Sequence, residues 1–173
     1  AITEKEKKEI EDNLKTRLSS DSTETEIRLG TFTKNSFIPG VSISKFYDLK
    51  KRCEGFKSSS KESTDTFYKY GKEEIRVEKC GDKETVIIKT LKKRIDVERY
   101  NLRVSFSEEI ILSKKDMVKL DIPLKGDFID TSKLSVILTR QKSRTSYQIN
   151  KNVVLDMTIV KDGDKVVYEV ELE

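Results

Sequence analysis

Apolar and polar residues alternate along much of this chain, most regularly in its last nine residues, 165–173. Successive side chains of a β-strand point to opposite faces. One face of a strand here would be apolar, and the other would carry three carboxylates: Glu169, Glu171 and Glu173. The stretch 23–32 repeats this pattern with Glu24 and Glu26. Two strands with stacked glutamates indicate an ion held between strands rather than a solvated surface.

The same periodicity predicts eight strands and up to three helices. The strands are expected at 23–32, 66–70, 73–80, 84–94, 99–111, 134–149, 152–161 and 165–173. Thr3 and Glu6 have the spacing of a capping box at the start of a helix over 3–18, in which Ile10, Leu14 and Leu18 recur at helical spacing. A second helix is expected to begin near Ser42 or Ser44, and a short one over 114–120. The Ser-rich stretch 57–65 has no periodicity, so we predict a mobile loop there.

Each of these strands has one strictly polar face, and the charges are sorted by strand. Bases occupy the polar face of 140–146, namely Arg140, Lys142 and Arg144. Other polar faces carry Arg76, Asp156, and a run from Arg103 to Glu109. A solvated antiparallel sheet explains such faces. The segregation of acids from bases favours a second interpretation, a mainly β (α+β) fold in which eight antiparallel strands close into a barrel, helices cover the apolar outside, and charged faces line a tunnel.

Composition narrows the chemistry open to such a tunnel. The 173 residues suit a single domain, 1–173. Lys and Arg total 35 against 31 Asp and Glu, so the net charge is only +4 and does not by itself indicate nucleic acid. Histidine is absent, which excludes Ser-His-Asp triads and His-ligated zinc. The two cysteines fit neither a metal motif nor a cysteine phosphatase loop, and we interpret them as packing residues.

Further expectations concern the cellular context. No run of about 18 apolar residues and no signal-peptide pattern is present, so we expect an intracellular protein that does not associate with a membrane. The chain begins with Ala1 and its last predicted strand runs to Glu173. We therefore expect it to be part of a longer protein.

Several carboxylates on one wall repel one another unless a hard cation such as Mg²⁺ or Mn²⁺ offsets their charge. Arg and Lys on a facing strand suit phosphate oxygens. Together these groups are the parts of phosphoryl transfer, with one carboxylate left to orient the attacking water. Glu109 is our candidate for that role. The alternative is that Glu109 forms only a salt bridge to an arginine of the tunnel.

The ordered set of ExE, RxKxR and ExExE motifs resembles the metal-dependent RNA triphosphatases of messenger RNA capping. These are tunnel-fold enzymes of fungi, protozoa and large DNA viruses, with eight antiparallel strands. The resemblance extends over Glu24 to Gly30, Phe37 to Val41 with Phe46, Arg103 to Glu109, Arg140 to Ser146, Asp156, and Glu169 to Glu173. It implies removal of the terminal phosphate from the 5′-triphosphate end of RNA with Mg²⁺ or Mn²⁺, the first step of capping.

The resemblance also implies roles for individual residues. Glu24, Glu26 and Glu173 would ligate the metal directly, and Glu171 would act through water or hold its neighbours. Arg140, Lys142 and Arg144 match the phosphate-binding strand, with Arg144 on the transferred phosphate. Glu109 matches the water-orienting glutamate, Asp156 an acid that positions a base, and Glu169 a support of the basic wall.

Arg76 and Lys92 match two further positions that contact phosphate in that family. The match of Lys92 rests on spacing alone, because Lys93 and Arg94 are also candidates. Simple alternation from Val86 and Ile88 would put Lys92 and Arg94 on an apolar face, unless a β-bulge intervenes.

The short chain resembles the N-terminal triphosphatase domain of a viral multifunctional capping enzyme, which implies guanylyltransferase and methyltransferase partners in the same chain or complex. The site of action would be a virion or cytoplasmic replication site if the protein is viral, and the nucleus if it is fungal-like. Other tunnel enzymes, the inorganic and thiamine triphosphatases and class IV adenylate cyclases, typically carry ExExK in the first strand, where this chain has Arg28. Hydrolysis of nucleotides and a non-catalytic anion-binding module remain alternatives.

Overall fold

The computed structural model describes residues 3–17 and 23–173, which form helices around a β-barrel. The helices are α1 (Glu4–Arg17), α2 (Ile43–Arg52) and α3 (Lys114–Lys119). The strands are β1 (Thr23–Phe32), β2 (Phe37–Pro39), β3 (Ser58–Tyr70), β4 (Glu73–Cys80), β5 (Lys83–Val97), β6 (Leu102–Ile111), β7 (Leu124–Lys125), β8 (Phe128–Ile129), β9 (Ser135–Asn150), β10 (Val153–Asp162) and β11 (Lys165–Leu172).

Eight long antiparallel strands close into a barrel in the order β11-β10-β9-β3-β4-β5-β6-β1. Closure comes from β1 and β11, where Ile27 lies opposite Leu172 and Arg28 opposite Glu171. The two strands that carry the stacked glutamates are therefore neighbours, although they lie at opposite ends of the sequence. The predicted fold class, a closed eight-stranded barrel with flanking helices, is confirmed.

The apolar residues of the barrel face outward, as the inverted alternation predicts. Phe46 of α2 is 1% exposed and packs with Met157 and Val170 on one side of the barrel. Met117 of α3 packs with Ile75 and others on a second side. Ile10 of α1 packs against a third cluster around Phe106. The hydrophobic cores thus lie between helices and barrel, and the interior is left to polar side chains.

The predicted helix starts are confirmed by their caps. Thr3 and Glu6 exchange the two hydrogen bonds of a capping box, and Ser42 accepts from the Lys45 backbone at the start of α2. The predicted end of the first helix at Leu18 lies outside the described residues. None of the helices in the described ranges combines the length and the apolar character needed to cross a membrane.

The prediction of a mobile loop over 57–65 is wrong, because this stretch forms the first half of β3. Its backbone pairs with β4 from Thr64 onward and with β9 from Ser58 onward. The strand has no apolar periodicity because one face looks into the polar tunnel and the other into solvent. Asp65, at 1% exposure, is buried on the tunnel face.

The strand predicted over 99–111 begins only at Leu102. Residues 98–100 form a short turn of 3₁₀-helix, and Asn101 adopts a left-handed conformation with φ of 54°. This turn connects β5 to β6 as a hairpin.

Candidate active site

The barrel interior contains a chamber of about 370 Å³ lined almost entirely by charged side chains. Its acidic lining residues are Glu24, Glu26, Asp65, Glu78, Glu109, Glu169, Glu171 and Glu173. Its basic ones are Arg28, Arg76, Lys89, Arg140, Lys142 and Arg144. Most of the residues that the sequence singles out are therefore brought into one space.

Three carboxylates from both ends of the sequence meet on one wall of the chamber. Glu24, Glu26 and Glu173 each offer an oxygen, and these oxygens lie within 4.8 Å of one another. Because β1 and β11 are hydrogen-bonded neighbours, Glu173 joins Glu26 and Glu24, which lie 147 and 149 positions before it, in a single cluster. A second group within the same distance joins Glu173 to Asp156 and Glu171.

Burial and crowding raise the pKa of three of these carboxyl groups, Glu24, Glu171 and Glu173. Burial, with the Glu26 carboxylate beside it, raises the pKa of Glu171 to about 7. Burial, together with Asp156 and Glu24, raises the pKa of Glu173 to about 8. The pKa of Glu24 is raised by burial and by its hydrogen bond with Glu109. The raised pKa values of Glu24, Glu171 and Glu173 favour the protonated forms of these carboxyl groups unless a cation offsets their charge.

The residues present fit a hard divalent cation. Three carboxylate groups converge, and the buried Oε2 atom of Glu24 accepts no hydrogen bond although Lys89 Nζ lies 3.5 Å away. Carboxylate oxygens are the ligands that Mg²⁺ and Mn²⁺ prefer. The predicted ligand set Glu24, Glu26 and Glu173 is thus brought together, and Glu171 lies beside it.

Each base of the predicted phosphate-binding strand β9 is held by an acid from another strand. Arg140 Nη2 donates to Glu169 on β11. Lys142 Nζ lies 2.6 Å from Asp65 Oδ2 on β3. Arg144 Nη1 lies 3.8 Å from Asp156 Oδ2 on β10, and its Nε donates to Thr158 Oγ1 at 3.1 Å. Asp156 and Glu169 therefore sit where acids that position bases would be needed.

Arg76 and Glu109 face each other across the chamber. Arg76 Nη2 lies 3.5 Å from Glu109 Oε1, so the salt bridge that was the alternative for Glu109 exists. Glu109 also adjoins Glu24 of the metal-ligand group. Glu109 therefore lies between the carboxylate group of the chamber and Arg76.

The structure does not bring Lys92 into the chamber. Lys92 Nζ lies 3.4 Å from Glu108 Oε2, and both side chains are 38% exposed. A β-bulge between Leu91 and Lys93 makes Lys92 the extra residue of the strand. The lysine of β5 that lines the chamber is Lys89, whose Nζ lies 3.5 Å from Glu24 Oε2 and 3.7 Å from Glu26 Oε2.

Lys89, Arg28 and Asp65 are chamber residues that the sequence interpretation did not assign. Arg28 contacts three carboxylates, with Nη2 donating to Glu169 at 2.9 Å and Nε 3.2 Å from Glu26 and 3.4 Å from Glu171. The alternation of β1 places Arg28 on the same polar face as Glu24 and Glu26. Lys89 lies opposite Glu109 in the pairing of β5 with β6, so only knowledge of that pairing would have identified it. The sequence did not indicate that Asp65 faces the tunnel, because the stretch 57–65 has no alternation of apolar and polar residues.

Arg103 lies near one end of the tunnel rather than in the chamber. Its Nε donates to Asp96 at 2.8 Å, and its guanidinium lies 4.5 Å from the ring centroid of Phe37. It lines a second cavity that adjoins the chamber.

Comparisons with solved structures match this barrel over nearly its whole length. The RNA triphosphatase domain of a trifunctional mimivirus mRNA capping enzyme superposes with a TM-score of 0.74 at 20% identity, covering 98% of this chain and 87% of that one. The Pct1 RNA triphosphatase of S. pombe gives 0.72 at 19% identity, covering 100% and 80%. The chain has the fold of the tunnel triphosphatases.

A more distant neighbour widens the range of activities associated with this fold. HpAC1 of Hippeastrum, a putative adenylyl cyclase with a dominant triphosphatase activity, gives a TM-score of 0.55 at 12% identity, covering 87% of this chain and 78% of that one. At these identities the comparisons establish the fold alone. No protein-family profile and no curated protein matches the sequence.

Proposed function

We propose that this chain is a metal-dependent polynucleotide 5′-triphosphatase that removes the γ-phosphate of 5′-triphosphate RNA, leaving a diphosphate end and inorganic phosphate. The observation that carries the proposal is one chamber in which a three-carboxylate group faces a set of fixed bases. This combination suits a triphosphate bound through a divalent cation. The likeness to two RNA triphosphatases at TM-scores of 0.72–0.74 supports RNA as the substrate.

Glu24, Glu26 and Glu173 would hold the metal, with Glu171 close by. When bound, Mg²⁺ or Mn²⁺ supplies Lewis-acid stabilisation of the charge on the phosphate oxygens. Arg144 and Arg76 stabilise the transferred phosphoryl group, and Arg140, Lys142 and Lys89 bind the remaining phosphates. Glu109 orients the attacking water in line with the leaving diphosphate.

The acid partners of the basic wall act as positioning residues. Glu169, Asp156 and Asp65 each hold one cation of β9 in a fixed place before the substrate arrives. Charges that are already held in place need little reorganisation as the transition state forms, whereas water molecules must reorient around it. This preorganisation is the main source of electrostatic stabilisation in an active site.

The direct test is phosphate release from 5′-triphosphate RNA, tripolyphosphate and thiamine triphosphate, each with Mg²⁺ or Mn²⁺. We expect the RNA to have the highest kcat/KM. A preference for tripolyphosphate or thiamine triphosphate would instead favour the inorganic or thiamine triphosphatase alternative, which the likeness to HpAC1 keeps open.

The catalytic assignment is tested by Glu24→Ala and Glu173→Ala, each of which should lower turnover by about a hundredfold or more. Glu108→Ala is the matched control, because Glu108 lies one residue from Glu109 and pairs outside the chamber with Lys92. Unchanged phosphate release in both ligand variants would favour a non-catalytic anion-binding module.

We further propose, from the likeness to the domain of a trifunctional capping enzyme, that this chain is one unit of a larger capping assembly. Guanylyltransferase and methyltransferase modules in the same chain or complex would then use its diphosphate product. Co-purification of a guanylyltransferase activity with the native protein tests this proposal.

A further inference from the structure

A second cavity, of about 350 Å³, adjoins the chamber at one end of the tunnel. It shares Glu26, Arg28, Phe67, Arg76 and Lys89 with the chamber. Beyond these it is lined by a rim that we call the basic mouth: Glu74, Leu91, Arg94 and Arg103. Among the described residues, five bases and two acids line this cavity, whereas the acids outnumber the bases in the chamber.

Strand pairing fixes the position of the basic mouth relative to the carboxylate cluster. Along β1 and β6, Glu24 lies opposite Ser107 near one end, and Arg28 lies opposite Arg103 near the other. On β5, Lys89 lies opposite Glu109, and Arg94 lies opposite Ser105. A substrate whose terminal phosphate is at Glu24 therefore has a route outward past Arg28 to the basic mouth.

Arg94 is the exposed cation of this mouth. The bulge at Lys92 reverses the alternation of β5, so Arg94 faces the cavity and Lys93 does not. Lys93 Nζ pairs with Glu9 Oε1 at 3.2 Å, whereas no carboxylate in residues 3–17 or 23–173 forms an ion pair with Arg94. A cation with no counter-ion among the described residues, beside a chamber suited to phosphates, is available to a phosphate of the ligand.

Arg103, by contrast, is held by partners within the described part of the chain. Two hydrogen bonds to Asp96, at 2.8 and 3.2 Å, and the ring of Phe37 beneath it hold its guanidinium at the rim. Between the two arginines and the chamber lie apolar surfaces of Phe67 and Leu91, the latter 52% exposed. An apolar surface followed by exposed cations suits a nucleoside followed by a phosphodiester.

We propose that the basic mouth binds the body of the RNA, with the first nucleoside against Phe67 and Leu91 and the next phosphodiester on Arg94. This inference rests on the proposed function and adds that the protein contacts RNA beyond its triphosphate. It predicts that an oligonucleotide binds more tightly than a mononucleotide with the same triphosphate, independently of base sequence.

The test compares Arg94→Gln with Lys93→Gln, which removes the same charge from the adjacent residue on the outside of the barrel. The probes are a fluorescent RNA decamer with a 5′-(β,γ-methylene)triphosphate and β,γ-methylene-ATP, titrated in Mn²⁺ by anisotropy and by competition. Neither probe can lose its γ-phosphate, so binding is measured without turnover. Thermal unfolding of each variant checks that the barrel is intact.

Arg94→Gln should weaken decamer binding about tenfold, as expected for one lost charge-assisted contact. It should also reduce the slope of log affinity against log salt by roughly 0.7, the value for one phosphate of a single strand. Binding of β,γ-methylene-ATP should be unchanged, and Lys93→Gln should change neither ligand.

Three results would overturn the inference: equal weakening of both ligands by Arg94→Gln, no effect on either, or an equal effect of Lys93→Gln. A wild-type protein that hydrolyses triphosphate RNA but binds the decamer no more tightly than the nucleotide would overturn the inference alone. A wild-type protein that hydrolyses tripolyphosphate but not triphosphate RNA would overturn the proposed function as well.

Discussion

The carboxylate cluster should make the metal-free protein less stable as pH rises, which is the reverse of ordinary acid denaturation. The pKa of Glu171 is about 7 in the folded chain against an ordinary value of 4.5. A carboxyl group whose pKa is raised by folding contributes its full stabilisation below the unfolded pKa and loses it as pH rises through the folded pKa. The window for this loss is therefore about pH 4.5 to 7.

The magnitude follows from the pKa difference. Each pKa unit corresponds to about 1.4 kcal/mol, so ionising Glu171 in the fold costs about 3 kcal/mol relative to ionising it in the unfolded chain. Glu171 is 6% exposed, so solvent screening reduces this figure little. Glu173 is more exposed and adds to the effect in the same direction, up to about pH 8. Histidine, which titrates in this range in most proteins, is absent.

Urea unfolding in EDTA at pH 5, 6, 7 and 8 measures this dependence. The unfolding free energy should fall by about 3 kcal/mol across the series. Saturating Mn²⁺ should abolish most of the fall, because the cation offsets the ionised carboxylates. Glu171→Gln should flatten the metal-free profile, and Glu108→Gln should leave it unchanged. A metal-free profile that is flat or rises with pH would refute the electrostatic account of the cluster.

Three substitutions test the remaining contacts of the chamber. Asp65→Asn should lower the unfolding free energy by about 3 kcal/mol, because it leaves buried Lys142 without its counter-charge, and should also reduce kcat; unchanged urea unfolding would contradict this. Lys89→Ala should lower kcat/KM for triphosphate RNA by about a hundredfold. The control Lys92→Ala should leave kcat/KM within about twofold of the wild-type value, and a larger loss for Lys92→Ala than for Lys89→Ala would restore Lys92 as the phosphate ligand. Arg28→Met removes the cation among three glutamates and should weaken thermal stability more in EDTA than in Mn²⁺; an equal loss in both would mean that Arg28 acts through packing.

Alternation within strands made most of the fold predictable. A polar face and an apolar face on most of the eight strands, with acids and bases sorted by strand, favour a closed barrel, and the glutamates of β1 and β11 fall on the tunnel side as the pattern predicts. The pattern carries no information on which strands are neighbours. Pairings such as Lys142 with Asp65 and Arg140 with Glu169 therefore could not be derived from the sequence.

Two of the wrong predictions have identifiable physical causes. The first half of β3 was predicted as a loop because both faces of the strand are polar over Ser58 to Thr64, so the period of two is invisible there. Lys92 was assigned by motif spacing against the simple alternation of β5, and the structure leaves it outside the chamber, because the bulge at Lys92 turns Arg94 rather than Lys92 toward the tunnel. The three adjacent bases Lys92, Lys93 and Arg94 gave no local signal of where that reversal occurs.

The charge balance of the chamber explains why acids and bases are combined in it. Among the described residues, eight carboxylates and six cations line it, so the fully ionised chamber is more negative than positive and would repel a free triphosphate. Two of these carboxylates, together with Asp156, pair with the bases of β9, and three others of the eight, Glu24, Glu26 and Glu173, meet in one cluster. Under the proposed function, one divalent cation on that cluster would offset the excess negative charge and make the same wall a phosphate site. The bases would then set the position of the substrate, and the metal would determine whether it can enter.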